Sequence, residues 1–253
     1  MRAALTAALI TVAALNIGAA SAAEVKVLTT GAFKPVVMAL VPEFERQSGH
    51  KLVVANDTAG ALVRRIEAGE AFDLVVLTPP AIEQLTRKGK IAAGTAGNLA
   101  KVGIGVVVKQ DAPRPEISSV DAFKRALLDA RSVAYIDPAA GGSSGIYLDQ
   151  LFTRLGIADA IKATAVLVPG GLVAERVANG EAEIGVHQIS EILAVKGVSL
   201  VGPLPPEIQN YTVYAAGVGA MAQQPEAARS LLKVLQSEDA SRVLKDKGME
   251  PPS

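Results

Sequence analysis

Apolar positions along this chain follow two rhythms, short unbroken runs and longer stretches at helical spacing, with small or polar residues between them. Val25 to Thr29 is a run of the first kind; the turn Thr30-Gly31-Ala32 follows, and Pro35 opens a stretch with Val37, Leu40, Val41 and Phe44 on one helical face. That order predicts strand, loop, helix. Pro42 lies inside the helix, lacks an amide hydrogen and predicts a kink there. Leu52 to Ala55 predicts a second strand, Asn56-Asp57-Thr58 supply cap-type residues, and Leu62 with Ile66 mark a helix stopped by Gly69. Leu74 to Leu77 predicts a third strand.

After the apolar run Val102 to Lys109 and the proline-bearing segment Asp111 to Pro115, the same grammar returns. A helix with Val120, Phe123 and Leu127 precedes the strand Val133 to Ile136, the loop Asp137 to Gly145 and a helix with Leu148, Leu151, Phe152 and Leu155. A strand at Ala165 to Val168, the turn Pro169-Gly170-Gly171, a helix with Leu172 and Val177, and a strand at Ile184 to Val186 complete the set. Tyr211 to Gly219 is rich in β formers, and Pro225 opens a helix with Ala228, Leu231, Leu232 and Leu235, followed by a last helix to Gly248.

Repeated strand-loop-helix units predict an α/β protein with parallel sheets and crossover helices. Two copies of the grammar predict two Rossmann-like lobes. The tail after Tyr211 brings no new set of strands, so it is expected to return to the first lobe. The expected division is residues 24–103 with 209–253 as one lobe and residues 104–208 as the other, the chain crossing twice to make a hinge. Ligands of such sheets sit beyond the carboxyl ends of strands, which directs attention to Thr29 to Phe33, Asn56 to Gly60 and Thr78 to Pro80.

The start of the chain changes where this fold is expected to work. Met1-Arg2, the apolar stretch Ala3 to Ile17 and the small residues Gly18 to Ala23 stand in the order of an export signal. Residues 1–23 are therefore expected to be a signal peptide cleaved near Ala22 or Ala23, which puts the mature protein in the periplasm. The chain carries 25 basic and 25 acidic residues, and loss of Arg2 with the leader leaves a net charge of −1. Such a balance offers no footprint for nucleic acid, and a charged ligand must be caught locally. Cysteine is absent, which excludes thiol chemistry and disulfides. The two histidines, His50 and His187, are far apart, so neither a metal site nor a cofactor is expected.

The loop Asp137-Pro138-Ala139-Ala140-Gly141-Gly142-Ser143-Ser144-Gly145 is the most informative segment. Glycines let backbone approach a ligand, Ser143 and Ser144 donate, and unpaired amides at a helix start favour negative charge. Capping of their own helix is the plainer use of the two serines. Gly141 to Gly145 also matches G-x-S-x-G, with Asp149 and His187 downstream. A nucleophile elbow needs its serine on a sharp turn directly after the strand, and Ser143 lies too far past Ile136 for that. Asp57, Thr58 and Gly60 offer a second half of an anion cradle, or plain capping. Lys34 sits at a helix start, where a nearby anion would offset the dipole, although lysine is most often a solvated surface charge. His187-Gln188-Ile189-Ser190-Glu191 ends an apolar strand at the ligand-facing edge. His187 could move a proton there, or Gln188 and Ser190 could hydrogen-bond with His187 purely structural.

Several of these segments together resemble the molybdate-type ABC transporter solute-binding proteins: the small-residue turn after the first strand, Leu62-Val63-Arg64-Arg65-Ile66-Glu67-Ala68-Gly69 before Phe72-Asp73-Leu74, and Asp137-Pro138 before Gly145-Ile146-Tyr147. The resemblance spans nearly the whole mature chain. It implies a type II periplasmic-binding fold, a monomer, a small anionic ligand between the lobes, and delivery to an ABC permease. Ligand contacts are then expected from Thr29, Thr30, Gly31, Ala32, Asp57, Thr58, Gly60, Arg64, Ser143, Ser144, Gly145, Gln188 and Ser190. In that family serines of the first two loops and a tyrosine of the second lobe hold the oxyanion. Here Ala32 with Thr29 and Thr30, Thr58-Ala59-Gly60, and His187-Gln188 stand in those places. Together with Arg64 and Lys101, these suit a larger carboxylate than molybdate. Gln188-Ile189-Ser190-Glu191 with Leu200-Val201-Gly202-Pro203-Leu204-Pro205 also resembles the periplasmic aconitate isomerases, which implies His187, Glu191 or Tyr147 as acid and base. Capture of a small anion without turnover is the first expectation, and isomerisation of a small tricarboxylate is its alternative.

Overall fold

The computed structural model describes residues 22–252, so the expected signal peptide lies outside the described residues apart from Ala22 and Ala23. Three strands, β1 (Glu24–Thr30), β2 (Lys51–Asp57) and β3 (Leu74–Leu77), run parallel in the order β2-β1-β3. The helices α1 (Lys34–Ser48) and α2 (Ala59–Glu67) make the crossovers, and α3 (Pro79–Arg87) follows β3. A long strand, β4 (Gly97–Lys109), leads out of this half.

The other half contains α4 (Val120–Asp129), β5 (Val133–Ile136), α5 (Ser143–Arg154), α6 (Ala158–Thr164), β6 (Ala165–Val168), α7 (Val173–Ala178), β7 (Ile184–Gln188), α8 (Ile189–Ile192) and β8 (Val198–Pro203). β5 pairs in parallel with β6 and β7. The chain then returns as β9 (Tyr211–Val218), α9 (Pro225–Leu235) and α10 (Glu238–Asp246). β9 inserts antiparallel between β3 and β4, and α9 and α10 share a core with α1. The sheets are thus mixed, parallel where crossover helices connect them and antiparallel where β4 and β9 pass.

β4 belongs to both halves. Gly97 to Gly103 pairs with β9, whereas Ile104 to Lys109 pairs with β7 and β8. Beside the changeover, Gln209 Oε1 accepts from the Ile104 amide and Gln209 Nε2 donates to the Ile104 carbonyl, both at 2.9 Å. A side chain here imitates a strand neighbour.

Both faces of each half are covered, which explains the unbroken apolar runs. In β1, Val25 and Val27 face the core that holds Val36, Phe44 and Leu231, whereas Leu28 faces Leu62, Leu77 and Leu85. In β5, Val133 and Tyr135 join Phe123, Leu148 and Phe152, whereas Ala134 and Ile136 join Val107, Val173 and Val177. α1 continues through Pro42, its stripe Val36, Val37, Leu40 and Phe44 buried along the length.

Gly145 is held by packing. A Cβ built there would overlap the Ile136 carbonyl oxygen, while one on Gly170 would meet nothing within 4 Å. Gly145→Ala is expected to lower unfolding stability by about 1–3 kcal/mol, the usual cost of overpacking, and Gly170→Ala to stay within about 0.5 kcal/mol of the parent. Urea unfolding followed by circular dichroism measures both.

Candidate functional site

The loops that follow β1, β2, β5 and β7 meet around a cleft of about 280 Å³. One wall is Thr30, Gly31, Ala32, Lys34, Asn56, Asp57 and Thr58; Gly142, Ser143 and Ser144 face it. His187, Gln188, Glu191 and Tyr214 contribute buried polar groups, and Pro35, Met38, Ile136 and Leu172 add apolar surface. The starts of α1, α2 and α5 all open toward this space, so unpaired helix amides add positive potential to it.

Lys34 is the one lysine or arginine among the lining residues, and its ammonium donates to Asn56 Oδ1 at 2.9 Å. Asp57 is already committed: its carboxylate accepts from the Thr58 amide at 2.8 Å and from Arg65 at 3.3 Å. The N-cap of α5 is Gly142, with no side-chain cap bond. Ser143 and Ser144 therefore occupy the first turn without capping it, contrary to the plainer use of serines at a helix start.

A buried acid and base stand side by side in the cleft. His187 is the penultimate residue of β7, Glu191 lies one helical turn on in α8, and His187 Nε2 is 3.2 Å from Glu191 Oε2. Their side chains are only 2 % and 7 % exposed. Burial, which penalises whichever form is charged, pushes the His187 imidazole down to about 3 and the Glu191 carboxyl up to about 8. At neutral pH the pair therefore prefers to be uncharged, with a proton on the carboxyl. Glu191 Oε1 reaches Gly31, where a Cβ would overlap it, and His187 Nδ1 is buried without a hydrogen-bond partner.

Next to the cleft the loops after β2 and β5 touch through backbone. Gly60 N donates to Gly141 O at 3.1 Å, and Thr58 Oγ1, which caps α2 by accepting from Ala61 N, donates to Ala140 O at 2.5 Å. A Cβ on Gly60 would stand 3.0 Å from Gly141 Cα, so the approach needs glycine.

Of the residues expected from sequence to hold a ligand, Thr30, Gly31, Ala32, Asp57, Thr58, Ser143, Ser144 and Gln188 line the cleft, as do His187 and Glu191. The others are elsewhere. Thr29 is buried in β1 and donates to the Thr30 carbonyl; Gly60 packs on Gly141; Arg64 is exposed; Gly145 packs on Ile136. Ser190 donates to Ala32 O at 2.9 Å, and Tyr147 donates to Ile208 O at 2.7 Å, away from the cleft. Lys101 pairs with Glu250. Gln188 lines the cleft, but its amide nitrogen donates to Thr212 Oγ1 at 3.1 Å and Tyr214 Oη at 2.6 Å. None of Thr78 to Pro80 lines it, because Thr78 starts α3 beyond β3, on the far side of β1 from β2. Asn56 lines the cleft within the loop the sequence pointed to, whereas Leu172 and Tyr214 escaped the sequence reading. Tyr214 sits in a run marked only by its β formers.

Residues 25–250 match a family model described as bacterial extracellular solute-binding protein. The chain belongs to that family. An aconitate isomerase of Pseudomonas sp is 37% identical over 231 residues, covering 89% of this chain and 87% of that protein. The molybdate-binding protein of Azotobacter vinelandii is 26% identical, covering 91% of each. Its family also supplies the fold match: the solved structure of the Azotobacter vinelandii periplasmic molybdate-binding protein superposes with a TM-score of 0.77 over 90% of this chain and 100% of that one, at 20% identity. The sulfate-binding protein SubI from Mycobacterium tuberculosis H37Rv superposes with a TM-score of 0.73 at 17% identity, over 90% and 87%. The expected α/β fold of the periplasmic binding proteins is the one this chain has, with antiparallel strands beside the expected parallel ones.

The pair predicts a pH signature. Between about 3 and 6.5, His187 takes up a proton only on unfolding, so stability rises with pH. Between 4.5 and about 8, Glu191 loses its proton only on unfolding, so stability falls with pH. The two offset each other from 4.5 to 6.5, and Glu191 alone acts from 6.5 to about 8. Chemical denaturation from pH 3 to 9 is expected to show a plateau in the middle window and a decline above it, with the decline absent in Glu191→Gln.

Proposed function

We propose that the protein closes around a small carboxylate anion and moves a proton on it, so that capture serves an isomerisation. The observation that carries this reading is the buried His187–Glu191 pair in the cleft. Removing ionisable groups from water costs several kcal/mol, and a capture site needs only fixed donors. A transferable proton is of use to a reaction. Strongly perturbed groups in a cleft mark reaction sites for that reason. The 37% identical relative named aconitate isomerase supports the same reading.

The lining suits a carboxylate with a hydrocarbon skeleton. The Lys34 ammonium and the first-turn amides of α1, α2 and α5 attract the anionic end, with Ser143, Ser144 and Thr30 as hydroxyl partners; Pro35, Met38, Ile136 and Leu172 cover carbon. Shifting a carbon–carbon double bond needs a base at one carbon and an acid at another. Ionised Glu191 takes a proton from one carbon, the electron pair moves through the double bond toward a conjugated carboxylate, and the Glu191 carboxyl returns the proton to the other carbon. His187, donating from Nε2 to Oε2, holds the carboxyl in place. A carboxyl with its midpoint near 8 is a stronger base than an ordinary glutamate and is better matched to neutral pH.

In this reading residues 24–103 with 209–253 form one lobe and residues 104–208 the other, hinged at β4 and at the return before β9. The Gly60–Gly141 contact closes them over the ligand. Export with cleavage near Ala22 or Ala23 sets the monomeric protein to work in the periplasm. Capture without chemistry would instead make an ABC permease its partner.

Incubating the purified protein with cis-aconitate is expected to yield trans-aconitate, read by proton NMR. Glu191→Gln should lose about 10²–10⁴-fold in rate, the range for a positioned acid or base, while calorimetry still detects ligand binding. Lys34→Met should weaken binding about tenfold, with the wild-type pH profile kept. Tight binding with no product from the wild-type protein would assign it to capture alone.

A further inference from the structure

Tyr214 lies on β9, which returns to the sheet long after the loops that build the cleft, and the isomerisation proposed above leaves it without a task. It is 1 % exposed, its ring packs at 6.2 Å from Phe33, and it lines the cleft with Glu191. Its hydroxyl is orientated from behind. Gln188 Nε2 reaches Tyr214 Oη at 2.6 Å and Thr212 Oγ1 at 3.1 Å. An amide nitrogen only donates, so the phenol oxygen is the acceptor there, and its own hydrogen is left for the neighbouring Thr30 and Thr212 hydroxyls or for a group in the cleft. Thr30 and Glu191 share the cleft with it, and the Thr30 hydroxyl is buried beside the phenol.

We infer that Tyr214 is a catalytic residue of that reaction, its phenol donating a hydrogen bond to the substrate carboxylate oxygen on which charge gathers as Glu191 removes the proton. The step balances without transfer from the phenol. A carbon–hydrogen bond breaks, its proton goes to Glu191, and its electron pair spreads onto the conjugated carboxylate; the proton then returns from Glu191 to the other carbon. A fixed donor aimed at developing charge in a water-poor site stabilises the transition state more than the ground state. The phenol keeps its proton, because burial and then the Glu191 charge push its ionisation well above the ordinary range. Gln188 acts through Tyr214 as a positioning residue.

This inference rests on the isomerase reading, and one set of variants separates the two. Tyr214→Phe keeps the ring that packs on Phe33, so its melting temperature should stay close to that of the parent. Its kcat for cis-aconitate conversion is expected to fall about 10²-fold, the scale of one lost oxyanion donor. Its Kd for tricarballylate, a saturated analogue with no double bond to move, should change less than threefold, and the pH profile set by Glu191 should persist. Gln188→Leu should lower kcat by a smaller factor. A Tyr214→Phe protein that keeps the wild-type kcat overturns the role of Tyr214 while leaving the isomerase reading standing. Equal losses in kcat and in tricarballylate affinity overturn it in favour of a ground-state contact. A wild-type protein with no turnover overturns both.

Discussion

One strand holds the two halves of this molecule in register. β4 pairs with β9 along its first residues and with β7 and β8 along its last, and the partner changes at Gly103 and Ile104. A backbone in mid-sheet cannot leave its amides and carbonyls unpaired, so the changeover requires a substitute, and the Gln209 side chain supplies it on both sides of Ile104. The changeover sets how the two sets of strand ends meet, and every other feature of the cleft follows from that meeting.

At that meeting the chain buries groups that water would prefer to keep. β7 ends on His187 and Gln188 next to the changeover, and the short turn of α8 brings Glu191 back beneath the first loop. The Ser190 hydroxyl fastens this turn to the Ala32 carbonyl, and Gln188 fastens the end of β7 to Thr212 and Tyr214 of β9. Each tie links sequence regions that come from different halves of the fold. Burial then makes the acid and base both prefer neutrality and pushes the Glu191 carboxyl up to about 8. The same low polarity that penalises the charged forms strengthens any hydrogen bond aimed at charge arising in the cleft. One fold can serve binding and reaction alike, in keeping with relatives named both for molybdate binding and for aconitate isomerisation.

Much of this was legible from the chain alone. Runs such as Leu74 to Leu77 and Val133 to Ile136 are apolar throughout because both faces of their sheets are covered, and β1 followed by Thr30-Gly31-Ala32 and Pro35 can hardly be anything but strand, turn and helix. The loops at Thr30, Thr58 and Ser143 stood out by their small and hydroxyl-bearing residues. α3, α6 and β8 did not, since α3 opens on two prolines just after a strand and the others are short segments of weak periodicity. Arg64 was expected to contact a ligand and Tyr147 to serve as acid or base, yet Arg64 is exposed and the Tyr147 hydroxyl bonds the Ile208 carbonyl.

By itself, then, the sequence determined the elements, the α/β class and the loops that face a ligand, because helical and strand periodicities and cap chemistry are local properties of neighbouring residues. Only the tertiary structure decided that Tyr214 joins the cleft, that the Gln188 amide is committed to β9, that Gly60 meets Gly141, and that His187 and Glu191 are dry. Those facts depend on contacts between residues far apart along the chain. Burial, which sets their protonation, exists only once both halves have packed around them.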